Sequence, residues 1–315
     1  MVFRSLNRTF APCIVRISKE RRSSNENETM MKNKLILFVL LAQWSIAYAQ
    51  QFVEDSVKVD GYMRRFDVFL PEGIKPDAPL VFYLHGYGGG IYRKNPMVET
   101  ARREGFAVCI PQGLKDPKGK PSWNVGYPFQ EGWKVDDVKS LCKMATYVQK
   151  RYHLSKENTF LTGMSNGGEM CYLMAYSKQK AFKAVAPIAG LTMEWMYRDL
   201  EAPKPIPLFE IHGTEDRTSE WTGDLENKGG WGAYMPVPLA IGYWVAKNRC
   251  TKEEAERVES LNSENGHYVI KHRFTESATG CDVWLYEVVG GKHTTHTEDL
   301  HTGDEIWNFF KKQIK

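Results

Sequence analysis

The segment Gly163-Met164-Ser165-Asn166-Gly167 constrains this chain more than any other. It follows the β-prone run Asn158-Thr159-Phe160-Leu161-Thr162 and precedes a helical pattern, Glu169-Met170-Cys171-Tyr172-Leu173-Met174-Ala175. A strand that turns at once into a helix around G-x-S-x-G presents the serine hydroxyl at the tip of the turn. The flanking glycines let neighbouring main chain approach where a side chain would collide. A hydroxyl so placed is open both to a base and to a substrate carbonyl. Without the strand and helix, the same five residues would be a glycine-bracketed turn holding an ordinary serine. Their context makes Ser165 the candidate nucleophile.

A serine of this kind needs an acid and then a histidine further along the chain. The apolar run Pro207-Leu208-Phe209-Glu210-Ile211 leads into His212-Gly213-Thr214-Glu215-Asp216, which makes Asp216 the candidate acid. Glu215 and Asp224 are its rivals, and loop aspartates also serve as turn and helix-cap residues. The base should follow the last strand. Asp282 to Val289 has that pattern, and Gly290-Gly291-Lys292-His293 comes directly after it. His293 is the candidate base, with His296 and His301 nearby. Glu298 and Asp299 lie between those two histidines, but no H-E-x-x-H or cysteine-rich spacing accompanies them, so no metal site is expected. The oxyanion requires fixed N–H donors. The amide of Asn166 is one candidate. The other is the amide of Tyr87, in the loop His85-Gly86-Tyr87-Gly88-Gly89-Gly90 after the strand Leu80 to Leu84. That loop lacks the Lys-Ser/Thr ending of a phosphate-binding P-loop.

Around this site, strands and helices alternate. A hairpin is expected through Asp60-Gly61, then buried strands over Leu80–Leu84, Phe106–Ile110, Thr159–Gly163, Ala184–Ile188, Leu208–His212 and Asp282–Val288. Helices are expected over Asn95–Glu104, Lys134–Tyr152, Asn166–Ser177, Pro236–Lys247 and Gly303–Lys312. The alternation predicts an α/β fold, a mostly parallel central sheet with helices on both faces. Two connections are long. Gly113 to Trp133 carries Trp123, Tyr127, Phe129 and Trp133, and Gly190 to Pro207 carries Trp195. Ligands bind beyond the C-terminal ends of parallel strands, so Trp123, Tyr127, Trp133 and Trp195 are candidate substrate contacts. The plainer alternative is that they pack their loops onto the body.

The net charge of +4 is spread without basic blocks and argues for no nucleic-acid partner. Met31-Lys32-Asn33-Lys34, the apolar stretch Leu35 to Leu41 and the small-x-small site Ala47-Tyr48-Ala49 read as a secretory signal cleaved after Ala49. The start is then expected at Met30 or Met31, with residues 1–29 an upstream extension. Residues 50–315 would form a single catalytic domain, secreted or periplasmic, with no stable membrane insertion after cleavage. Six cysteines in an exported chain invite disulfides. Cys13 lies in the upstream stretch, and Cys109, Cys142 and Cys171 read as small buried hydrophobes. Cys250 and Cys281 flank the segment before the last strand.

With these residues in hand, the chain resembles the secreted α/β-hydrolase esterases that include polyhydroxybutyrate depolymerases and feruloyl or acetyl-xylan esterases. The resemblance runs from about Val57 onward and rests on Leu84-His85-Gly86, Pro111-Gln112-Gly113, Trp123-Asn124, Val135-Asp136-Asp137 and Thr162 to Gly168. It continues through Ile211 to Asp216, Trp244 to Cys250 and Thr279-Gly280-Cys281. It implies an α/β-hydrolase fold, a triad of Ser165, Asp216 and His293, and a disulfide between Cys250 and Cys281. It also implies an acyl-enzyme mechanism on small-molecule or polysaccharide-linked esters, with no cofactor. Thr294-Thr295-His296 stands where the family usually has Trp-Pro-Gly. That departure and the aromatic loops favour feruloyl or acetyl esters of xylan over polyhydroxyalkanoate. The reading of another class is a catalytically inactive carbohydrate-binding module.

Overall fold

The computed structural model describes residues 52–200 and 203–314. The expected signal segment ending at Ala49, the stretch upstream of it and Cys13 lie outside the described residues. The chain enters through an antiparallel hairpin of β1 (Phe52–Val59) and β2 (Tyr62–Phe69). Asp60 and Gly61 both take positive φ, as a tight two-residue hairpin turn with the hand of twisted strands requires.

Six buried strands then form the centre: β3 (Leu80–Leu84), β4 (Ala107–Pro111), β7 (Thr159–Met164), β8 (Val185–Ile188), β9 (Leu208–Gly213) and β12 (Val283–Val289). A small separate ribbon pairs β5 (Leu114–Lys115) with β6 (Pro121–Ser122), and the main sheet is completed by β10 (Lys252–Glu259) and β11 (Tyr268–Thr275). Its order is β1-β2-β4-β3-β7-β8-β9-β12-β11-β10. From β4 to β12 every pairing is parallel, while both flanks are antiparallel. The helices are α1 (Pro96–Glu104), α2 (Asp137–Tyr152), α3 (Asn166–Tyr176), α4 (Glu194–Asp199), α5 (Val237–Asn248) and α6 (Thr302–Lys311).

Strand alternation distributes the core between the two faces. Leu80, Phe82 and Leu84 of β3 pack in the cluster that receives α2, α3 and α5, while Val81 and Tyr83 join the one that receives α1 and α6. Helix ends follow side-chain chemistry. Asn95 accepts the Met97 N–H at 3.0 Å to start α1, and Gly105 closes it in the left-handed region. Asp136 accepts the Lys139 N–H at 2.8 Å and sets the start of α2 at Asp137, three residues after the expected Lys134.

The expected α/β architecture is present, with two corrections to detail. First, β10, β11 and α4 were not anticipated. Second, Cys250 and Cys281 come together without a bridge: both are free thiols, and the Cys250 sulfur donates to the Cys281 carbonyl at 3.6 Å. Each sulfur is turned to a main-chain oxygen, that of Cys281 towards the Thr279 carbonyl at 3.7 Å, and burial raises both thiol pKa values. Cys109 and Cys171 are buried, whereas Cys142 on α2 is half-exposed. Among the described residues no helix is long and apolar enough to cross a membrane.

Candidate active site

Ser165 sits between β7 and α3 at φ 56° and ψ −125°, a conformation that a residue with a side chain rarely adopts. The surroundings hold it there. Its N–H donates to the Ile188 carbonyl on neighbouring β8 at 2.8 Å, and its own carbonyl accepts from Glu169 at 2.9 Å in the first turn of α3. The glycines are obligatory in this packing. A Cβ on Gly163 would lie 2.8 Å from the main chain of Gly167, and one on Gly167 would lie 2.5 Å from the Leu84 carbonyl oxygen. Strain concentrated at one polar residue is a mark of functional sites.

Two strands along the sheet, the loop after β9 holds Asp216, and the loop after β12 holds His293. His293 Nδ1 lies 2.6 Å from Asp216 Oδ2, and the other oxygen, Oδ1, accepts the N–H groups of Thr218 and Ser219 at 2.8 Å each. Burial raises the pKa of Asp216. The bond and charge of His293 and the two amides outweigh that effect and hold the carboxyl below its usual range. An ionised Asp216 fixes the proton of His293 on Nδ1 and leaves Nε2 as the basic atom.

The rivals are placed elsewhere. Asp224 accepts the Gly229 N–H at 2.8 Å, and Glu215, whose N–H donates to the Gly291 carbonyl, is exposed. His296 is completely buried with Nδ1 3.3 Å from Asp299 Oδ2, and His301 is exposed at the N-cap position of α6, with no side-chain capping bond. Asp299 also accepts from Ser260, Asn265 and His267. This network anchors the histidine loop to the turn between β10 and β11.

The Gly-rich loop after β3 is fixed from below. The Gly86 carbonyl faces His85 Nδ1 at 2.7 Å and accepts the Gly89 N–H at 3.0 Å, while His85 Nε2 accepts the Gly113 N–H at 2.9 Å. These partners place the proton on Nδ1, and burial lowers the His85 pKa, keeping the ring neutral. With the Gly86 carbonyl held, the trans peptide directs the Tyr87 N–H the opposite way. Asn166 is the first residue of α3, so its N–H has no acceptor within the helix. The Asn166 side chain is buried. It accepts the Trp123 N–H at 2.7 Å and donates to the Trp123 carbonyl at 3.1 Å.

Ser165, His293, Tyr87, Tyr92, Thr218 and Trp231 line one open groove of about 400 Å³. A second groove of about 610 Å³ shares Gly86, Tyr92 and Met164 with it and adds Tyr83, Ile91 and Pro96. The four aromatics expected to contact substrate are not among these lining residues, for clear reasons. Trp123 is fully buried, donating Nε1–H to the His85 carbonyl at 3.0 Å. Tyr127 is 2% exposed. It hydrogen-bonds the buried Glu169, whose pKa burial pushes up to about 8 against the lowering bonds of Tyr127 and Asn166. Trp195 covers Gly126 and donates to the Val125 carbonyl at 3.0 Å, which clamps the loop. Trp133 is half-buried, and its carbonyl accepts the Asn124 side-chain amide at 2.9 Å. Trp123, Tyr127 and Trp195 therefore belong to the scaffold around the elbow, and Trp133 lies outside both grooves. Trp231, which was not anticipated, faces the groove and packs edge-on to Tyr87 at 5.4 Å. Its position in Gly229-Gly230-Trp231-Gly232, beyond the C-terminal end of β9, was the signal available to find it.

Comparison with known proteins supports the fold. Residues 97–236, which contain Ser165 and Asp216, match the model of the Prolyl oligopeptidase family. A bifunctional acetylxylan esterase/xylanase of Neocallimastix patriciarum is 28% identical over 82% of this chain and 34% of its own length. Poly(3-hydroxyalkanoate) depolymerase C of Paucimonas lemoignei is 22% identical over 89% of this chain and 70% of its own. Feruloyl esterase C of Emericella nidulans is 27% identical over 49% of this chain and 55% of its own. The chain thus spans about a third of the first relative and just over half of the third. Among solved structures, an acetyl xylan esterase from Aspergillus awamori superposes with a TM-score of 0.58 at 15% identity, over 82% of this chain and 99% of that one. An acylaminoacyl peptidase from Pyrococcus horikoshii superposes at 0.57 with 14% identity, over 84% and 42%. The chain has the α/β-hydrolase fold, part of it matches the Prolyl oligopeptidase family, and it is similar to acetylxylan esterases, feruloyl esterases and polyhydroxyalkanoate depolymerases.

Proposed function

We propose that this chain is a secreted serine carboxylesterase that works through an acyl-enzyme on plant cell-wall esters, feruloyl or acetyl groups on xylan. The observation that carries it is one groove holding Ser165 on a strained elbow beside His293, whose Nδ1 is bound by Asp216 at 2.6 Å. In this reaction His293 Nε2 takes the Ser165 proton as Oγ bonds to the ester carbonyl carbon. The amides of Tyr87 and Asn166 receive the oxyanion, a stabilisation worth roughly 3–4 kcal/mol of barrier for one donor. The C–O bond to the alcohol then breaks, and the alcohol leaves with the proton from His293. Water repeats the sequence in reverse roles and frees the acid. These residues complete the reaction without a cofactor.

The preference for xylan esters is supported by the acetylxylan and feruloyl esterase relatives and by an aromatic groove of Tyr87, Tyr92 and Trp231 suited to a flat ring. Residues 50–315 act as one catalytic unit behind the leader that ends at Ala49. A second reading, a polyhydroxyalkanoate depolymerase, is favoured by the Paucimonas lemoignei relative, which aligns over 89% of this chain. The test is a hydrolysis panel of methyl ferulate, acetylated xylan, p-nitrophenyl acetate, hydroxybutyrate oligomers and a dipeptide anilide. Turnover of the first two above the oligomers supports the xylan reading. Preference for the oligomers selects the second reading, and preference for the anilide marks a peptidase. No turnover of any substrate by folded protein points to an inactive binding module.

A further inference from the structure

Beneath Asp216 lies a second histidine–carboxylate pair that the reaction above does not use. Glu210 and His212 are two residues apart on β9, hence on one face of the strand, and both are completely buried. His212 Nδ1 lies 2.7 Å from Glu210 Oε1, and Nε2 lies 2.7 Å from the Ser219 carbonyl oxygen. A carbonyl oxygen only accepts, so Nε2 carries a proton. Nδ1 faces Glu210 Oε1, which already accepts the Gly190 N–H at 3.2 Å. Burial raises the Glu210 pKa, against the lowering bond and charge of His212 and the Gly190 amide. An oxygen that already receives a main-chain donor is the weaker claimant for the proton shared with Nδ1. His212 therefore holds protons on both nitrogens. Its Nε2 is 3.8 Å from Asp216 Oδ2, the same oxygen that binds His293.

We infer that His212, kept as an imidazolium by Glu210, is a positioning residue that places a fixed positive charge behind Asp216 and so tunes how strongly His293 holds a proton. This rests on the triad proposed above. A cation behind the carboxylate draws on the negative charge that Asp216 would otherwise offer entirely to His293. His293 is then a weaker base and a readier donor to the leaving alcohol, while Glu210 limits the effect by neutralising the pair.

The groups around His212 are consistent with a retained charge. Glu210 faces it along β9, and Asp216 and the Ser219 carbonyl face it from the following loop. Tyr172 reaches Glu210 from α3, and the Trp221 ring lies edge-on at 6.0 Å. His296 approaches from the loop after β12, where burial lowers its pKa, with the charge of His212 lowering it further against the raising effect of Asp299. Burial disfavours the charge on His212, but the bond and charge of Glu210, with the Ser219 carbonyl and Asp216, outweigh it and raise its pKa.

Two measurements test the inference. Nitrogen-15 NMR of histidine-labelled wild-type protein near pH 7.5 should show both ring nitrogens of His212 protonated. An unprotonated Nδ1 signal would overturn the charge assignment, whatever the enzyme's substrate. The pH profile of kcat/KM on p-nitrophenyl acetate should then be compared for wild type, His212→Gln and the double variant Glu210→Gln, His212→Gln. Loss of the cation should move the acid limb to higher pH by roughly half a unit or more in both variants. In the double variant, two neutral amides can restore the hydrogen bond, so thermal stability should partly recover while the limb stays displaced. A folded double variant whose profile superimposes on wild type would overturn the tuning role and leave the pair merely structural. Failure of the triad itself is distinguishable: wild-type hydrolysis would then persist in Ser165→Ala, while the NMR arm still reads the charge on His212.

Discussion

Asp216 concentrates the electrostatics of the site: three donors, the Thr218 and Ser219 amides and His293, converge on one carboxylate. Its folded pKa is lowered, so it contributes stability fully present above the unfolded value near 3.9 and lost as pH falls through the folded pKa. Asp299, bound by His296, His267, Ser260 and Asn265, is shifted down by those bonds against the opposing effect of burial, and the same sign applies. Asp299→Asn should therefore lower stability to urea at pH 7, with the gap to wild type closing well below pH 4. A gap constant with pH would contradict this. His293→Ala and Asp216→Asn should each reduce kcat by about 10⁴-fold. His296→Ala should instead lower Tm with a much smaller effect on kcat, because its ring supports the loop from within the protein. A reversed order of His293 and His296, read by kcat on p-nitrophenyl acetate, would reassign the base. Ser165, Asp216 and His293 could be singled out as the proposed serine, acid and base because each follows a strand in the order that such chemistry demands. Glu210 and His212 were visible as residues, but only the fold shows that the pair backs Asp216.

At the scale of elements, the long connection from Gly113 to Trp133 is bolted to the body rather than draped over the groove. Asp137 at the start of α2 accepts the Asn124 N–H at 2.7 Å and pairs with Arg64 of β2 at 2.6 Å, both side chains wholly buried. Arg64→Ala would strand a buried carboxylate and should cost about 3–5 kcal/mol in urea unfolding; a loss below 1 kcal/mol would contradict a structural ion pair. The same anchoring separates two tryptophans that look alike in sequence. Trp123→Ala should lower Tm and depress activity on all substrates equally. Trp231→Ala should change the kcat/KM ratio of methyl ferulate to p-nitrophenyl acetate, mainly through KM, because a small acetyl group cannot use an aromatic wall. An unchanged ratio would remove Trp231 from substrate binding. Sequence could not separate the two, since both are aromatics in irregular loops and burial there depends on distant partners. The central strands were legible as short apolar runs, as β3 and β9 illustrate. The edge strand β10 was not, because Lys252-Glu253-Glu254-Ala255-Glu256-Arg257 is exposed on both faces and carries no alternation. Charges on such an edge discourage pairing with other chains.

Across the whole molecule, parallel strands bring distant residues to one edge of the sheet. Tyr87 follows β3, Ser165 follows β7, Asp216 follows β9 and His293 follows β12, so residues more than a hundred positions apart meet beyond the strands' C-terminal ends. The unusual backbone at Ser165 persists because the surrounding contacts over-determine it: β8 holds its amide, and Leu84 packs against Gly163 and Gly167. The central claim is that this assembly makes Ser165 a nucleophile. The most direct measurement is intact and peptide mass spectrometry after treatment with a fluorophosphonate probe, alongside hydrolysis of p-nitrophenyl acetate by wild type and Ser165→Ala. The predicted result is one adduct per chain, located on Ser165, with both labelling and hydrolysis abolished in the folded variant. Labelling at another residue, or a Ser165→Ala variant that hydrolyses as wild type does, would contradict it.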